Sequence, residues 1–152
     1  MASLLIQTDY QQVHLSRSGV GHFHATGSLN GRSVVVLIDT GAASTVVSLV
    51  LVRQMGLSFN KLKMKGGGAG GANLDIYQLT DAVLMLGEIK PRPRALLAMD
   101  LTHVNQALAQ KGESAVDVIL GSDVLEAQAA VIDYGSSSLF LKRQLDLVSP
   151  PA

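Results

Sequence analysis

The sequence predicts a mainly β domain carrying a few short helices. Three observations lead there. In "HFHATGSLNGRSVVVLID", Asn30-Gly31 sits between two strand-like runs, the strongest short-range signal for a hairpin. The apolar runs "VVVLI" and "VDVILG" are short, as buried strands are, and "AVIDYGSSSLFLKR" reads as a closing hairpin. A chain of 152 residues that is 47% hydrophobic suits one domain with a sizeable core.

Taken in order, "SLVLVRQMGL" predicts a short helix, with Ser48 as its N-cap and Gly56 as its stop. The stretch "KMKGGGAGGANLDIYQLTDAVLML" predicts a glycine-rich tip followed by strands, and "IKPRPRALLAM" continues in strands, Pro91 and Pro93 marking an edge or a turn. Residues 102–111 predict a helix ending at Gly112. Asp123 and Glu126, three apart as in a capping box, predict a helix through about Ala130. No linker, tandem repeat or second domain is visible, and "SPPA" reads as a loose tail.

Composition narrows the function. Twelve acidic residues balance twelve basic ones, and no basic stripe exists to neutralise phosphates, so nucleic acid is not an expected partner. No apolar run approaches the ~20 residues that span a bilayer. The start "MASLLIQTDYQQ" lacks a basic leader, so a soluble, cytoplasmic chain is expected. A periplasmic or membrane-anchored protein trimmed of its leader would read the same way. The absence of cysteine removes disulfides, thiolate metal sites and a cysteine nucleophile.

Several candidate sites reduce to ordinary structure. Gly66, Gly68 and Gly71 satisfy G-x-G-x-x-G, but "KLKMK" before and "NLDIYQL" after are the wrong flanks for a dinucleotide loop. A mobile hairpin tip fits better, the plainer alternative being a disordered surface loop. His22 and His24 would share one side of a strand, yet a zinc site needs a third ligand and only His14 is near. Two solvated histidines are expected there, and no metal. "GESAV" lacks the final glycine of a serine-hydrolase elbow. Asp39-Thr40-Gly41 differs, because an apolar strand drives a carboxylate toward the interior, where a lone charge is expensive. A turn aspartate is the plain alternative.

The order "LIDTGAAST…KMKGGGAGG…VILGSDVL" resembles the retropepsin-like aspartic proteases, the group of retroviral proteases and bacterial single-domain relatives. The opening "GHFHATGSLNGRSVVVLIDTGA" and the closing hairpin look more like bacterial members. The resemblance covers roughly residues 20–143, leaving 1–19 as an N-terminal extension and 144–152 as a tail. It implies a single-domain acid-protease barrel with a glycine-rich flap, and an endopeptidase that needs no cofactor. Carried over, Asp39, Thr40 and Gly41 are catalytic, Thr40 holding the loop across a dimer axis. Ala42, Ala43, Gly67, Gly68, Ala69, Gly70 and Ile119 contact a polypeptide substrate, and Leu120 and Gly121 support the loop.

Two carboxylates within hydrogen-bond reach share one proton, because both cannot be charged so close together. The chain offers one D-T-G, so a two-fold homodimer is expected to supply the second aspartate. Asp133 in "AAVIDYG" is a competitor within the chain, but Tyr134 is bulky and a turn is the better reading. Relatives with serine at position 42 have a hydroxyl able to stabilise the ionised aspartate. Ala42 cannot donate, which points to an activity optimum nearer neutral than in gastric-type enzymes. The acidic residue and arginine of retroviral members are replaced by Ala43 and Ser122, both halves of an ion pair lost together. Residues 98–115 are additional and are expected to reshape the cleft. The rival reading is a non-catalytic dimerisation or peptide-binding module, and a third is a monomer active only after regulated dimerisation.

Overall fold

The computed structural model describes residues 2–66, 73–93 and 95–143. Helix α1 (Ala2–Gln7) leads into β1 (Tyr10–His14), β2 (Ser16–Arg17), β3 (Phe23–Leu29), β4 (Arg32–Ile38) and β5 (Val46–Ser48). Helix α2 (Leu49–Gln54) precedes β6 (Phe59–Gly66), β7 (Leu74–Leu79), β8 (Leu84–Met85) and β9 (Leu97–Met99). Then follow α3 (Thr102–Gln110), β10 (Val118–Leu120), α4 (Ser122–Ala127), β11 (Val131–Asp133) and β12 (Ser138–Lys142).

The described strands form two sheets. The larger runs β2-β3-β4-β10-β5-β9-β7-β6, with β8 against β3; the smaller runs β1-β12-β11. Asn30 and Gly31 turn the β3–β4 hairpin at φ of 47° and 84°, the double left-handed geometry of a type I′ turn. Ser48 caps α2, its hydroxyl accepting from the Leu51 N–H, and Gly56 ends that turn at φ 66°. Within β1 and just beyond it, Val13 and Leu15, from the stretch read as an N-terminal extension, are buried in the main core.

Two expectations need correction. The described residues around Pro91 and Pro93 form no strand, since proline offers no N–H to a ladder; only Leu97–Met99 is regular. Helix α4 is also shorter than expected. Ala129 at φ 43° stops it, Gly121 stands at its N-cap, and Asp123 lies inside the first turn instead of capping it.

Alternation on the central strands divides the core in two. Val36 pairs with Val118, and Ile38 with Leu120, toward the larger cluster. Between them Leu37 pairs with Ile119 toward a smaller cluster with Val46, Leu101, Leu108 and Val116. Buried on both faces, β10 holds no polar side chain.

Candidate active site

Chain order makes the site. Strands β4 and β5 are consecutive, yet β10 is inserted between them, parallel to β4 and antiparallel to β5. The connection 39–45 must therefore cross the C-terminal end of β10. Asp39 N–H donates to the Leu120 carbonyl at 3.0 Å, carrying the ladder one residue beyond β4. The half-buried Asp39 then turns out, and its Oδ1 accepts the Gly41 N–H at 2.9 Å, which orients the carboxylate. Ala42 N–H donates to the Asp39 carbonyl at 3.2 Å and the Ala42 carbonyl accepts from Ser122 N–H at 2.7 Å.

Below the crossing lies a brace that motif reading missed. Thr45 is fully buried; its hydroxyl donates to Asp123 Oδ1 at 2.7 Å and accepts the Gly121 N–H at 3.0 Å. Asp123 Oδ2 accepts the Thr45 N–H at 3.0 Å. This draws Asp123 away from the capping role. The signal was local on each side, a hydroxyl closing "DTGAAST" and an acid after "ILGS", but nothing local joins them. Thr45→Val should cost about 2–3 kcal/mol in urea unfolding, because it strands a buried N–H and takes a donor from a carboxylate. Thr45→Ser, which keeps the hydroxyl, should lose only about 1 kcal/mol. Equal losses would show the brace to be idle.

Of the other expected site residues, Thr40, Gly41 and Ala43 are exposed and Ala42 is half-buried. The Thr40 hydroxyl makes no hydrogen bond among the described residues. Ile119 is 7% exposed and belongs to the smaller core cluster, with Ala42 packed against it. Gly67, Gly68, Ala69 and Gly70 lie outside the described residues. The legs leading to them, β6 and β7, pair antiparallel up to Gly66↔Leu74. Asp133 behaves as a turn aspartate on the smaller sheet, accepting from Gly135 N–H and the Ser136 hydroxyl, the latter chiefly holding its carboxyl below the usual range.

The two histidines are not both solvated. Glu113, its side chain 8% exposed, accepts the Ser18 hydroxyl and lies 3.3 Å from His22 Nδ1. His24 Nε2 is buried without a hydrogen-bond partner among the described residues. Among those residues no His, Asp or Glu group is arranged to hold a metal ion. Burial holds His24 below the ordinary 6.5, against the pull of Glu113 and with a further push from His22. A base whose folded value is lowered stabilises the fold fully above the unfolded value and loses that contribution as pH falls toward the folded one. Thermal unfolding should therefore show wild type losing stability between pH 7.5 and 5, in a window above that of the carboxylates, which titrate near ~4. His24→Gln should flatten that window; an unchanged slope would remove His24 as the cause.

A family model described as aspartyl protease matches residues 25–124. No curated protein sequence matches the chain. Among solved structures, a retropepsin-like aspartic protease from Rickettsia conorii is similar at 18% identity and TM-score 0.54, covering 87% of this chain and 90% of that one. The retroviral protease-like domain of Ddi1 from Leishmania major is similar at 17% identity and TM-score 0.53, covering 80% and 88%. EIAV protease in complex with an inhibitor gives 18% and 0.50, covering 78% and 98%. At such identities the structures establish a retropepsin-like, mainly β fold.

Proposed function

The chain belongs to the aspartyl protease family, and on that premise we propose that it is an aspartic endopeptidase whose catalytic pair is Asp39 from two copies of the chain. The carrying observation is the position of Asp39: at the end of a buried strand, its carboxylate oriented by the Gly41 N–H, on a loop braced from beneath. The turn hydrogen bond alone is ordinary, as Asp133 also makes one; what sets the Asp39 loop apart is its crossing of β10 over the buried Thr45–Asp123 brace. Asp133, the other Asp-x-Gly carboxylate among the described residues, closes a turn on the smaller sheet, whereas a two-fold axis supplies a second Asp39 loop without further sequence.

In the pair, one carboxylate is ionised and the other protonated. The ionised group takes a proton from water as the water oxygen bonds to the peptide carbonyl carbon. The protonated group donates to the carbonyl oxygen, giving a neutral tetrahedral diol. Collapse reverses the roles: a carboxyl proton reaches the amide nitrogen, the C–N bond breaks, and the other carboxylate recovers a hydroxyl proton. Substrate lies extended, bound through backbone hydrogen bonds beneath the β6–β7 hairpin, whose glycine tip serves as a flap.

The test is cleavage of a peptide library from pH 4 to 8, read by mass spectrometry, with Asp39→Asn in parallel and sizing by light scattering. Cleavage by wild type alone, from a dimer, supports the assignment. Equal cleavage by both proteins points to a contaminant or another site, and none from a populated dimer favours a peptide-binding module. In a separate pH–rate profile carried to lower pH, a peak below about pH 3, in the lower reach of the pepsin pair, would overturn the role given to Ala42.

A further inference from the structure

Alternation puts Leu37 on the same face of β4 as Asp39, two residues on. Ile119 pairs with Leu37, and Val46 with Ile119, so these three form the apolar floor nearest the carboxylate on its own face. That floor is not open. Leu101 and Leu108 cover it, 3% and 5% exposed. Both come from the additional segment around α3, in which Leu108 is the only buried residue of a nine-residue helix.

The covering segment is a closed unit. Asn105 donates from Nδ2 to the Val116 carbonyl at 3.1 Å and accepts the Val116 N–H at 2.8 Å, tying the helix to the chain that returns from it. Just before that return, Glu113 holds the Ser18 hydroxyl and approaches His22 Nδ1 at 3.3 Å. His24 pairs with Leu37, so His22, two residues back, continues along the face of Asp39. The unit is fastened to the face of Asp39 by Leu101 and Leu108, with Val104 packed beside them, and by the Glu113 carboxylate.

We propose that residues 100–115 form a lid that occupies an apolar subsite beside Asp39, latched by the hydrogen bond from Ser18 to Glu113, with His22 alongside. When the lid lifts, an apolar side chain of the peptide takes the floor that Leu101 and Leu108 now cover. Its purpose rests on the proteolytic reading; its test does not. Because the chain has no cysteine, a single Ile119→Cys thiol reports access to the floor without any catalysis. Its labelling by a soluble disulfide reagent should be slow, and should rise on the order of tenfold when Glu113→Gln is added, the scale of replacing a charge-assisted hydrogen bond by a neutral one. Should Ile119→Cys fail to fold, Val46→Cys probes the same floor. Equal labelling with and without Glu113→Gln, or labelling as fast as in urea, overturns the lid. Latch-dependent labelling in a protein that cleaves nothing keeps the lid and removes the protease; Asp39-dependent cleavage with latch-independent labelling does the reverse.

Discussion

Asp39→Asn should lower kcat/KM for any cleaved peptide by about 10⁴-fold, the upper range of general acid–base catalysis, because both members of the pair are lost at once. An amide neither takes a proton from water nor returns one to the leaving nitrogen. Folding should be nearly unaffected. The side chain is half-buried and its one hydrogen bond among the described residues is from the Gly41 N–H, which an asparagine oxygen also accepts. Urea unfolding should agree with wild type within about 0.5 kcal/mol. The variant also counts copies. Mixed one to one with wild type and allowed to exchange, it should reduce activity per wild-type chain to about half, since half of the wild-type chains then face an inert partner. Activity per wild-type chain that ignores the variant would mean one chain suffices, and the paired mechanism would fall.

Gly121→Ala should be a severely damaging single methyl at the site. A Cβ there would stand 2.7 Å from the Ala42 carbonyl oxygen, 2.8 Å from that of Ser44 and 2.9 Å from the Ser44 carbonyl carbon. All three are backbone atoms of the loop that crosses β10, so no rotamer change relieves the contact. Either the loop lifts or β10 sinks, and both disturb the Asp39 N–H to Leu120 and Gly121 N–H to Thr45 bonds. A loss of about 3 kcal/mol in stability is expected, the upper part of the overpacking range. In whatever fraction remains folded, activity should fall about a further 10²-fold, because near-attack geometry tolerates little displacement. Near-wild-type unfolding and turnover would mean the crossing has slack that the contact distances deny.

The Asp39 loop was legible because its information is local. An apolar run ending in Asp-Thr-Gly specifies a strand end and a tight turn within a few residues, as Asn30-Gly31 specifies its hairpin. In the structure the strand period shows plainly on β3, with Phe23, Ala25, Gly27 and Leu29 buried in alternation. The family resemblance came from the same local pieces in the right order, and so did the expected partners of catalysis.

What the sequence by itself determined, then, was the β character, the turns and the place of Asp39 at the end of an apolar strand. The tertiary structure decided which distant groups brace it and what covers it. Thr45 meets Asp123 across 78 residues only because β10 enters between β4 and β5. Glu113 comes to His22, and Leu108 joins Ile119 in the smaller core cluster, only because residues 98–115 fold back onto the face of Asp39. Propensity and spacing act over a few residues, whereas a buried carboxylate or an apolar floor takes whichever partner the sheet order brings within a few ångströms.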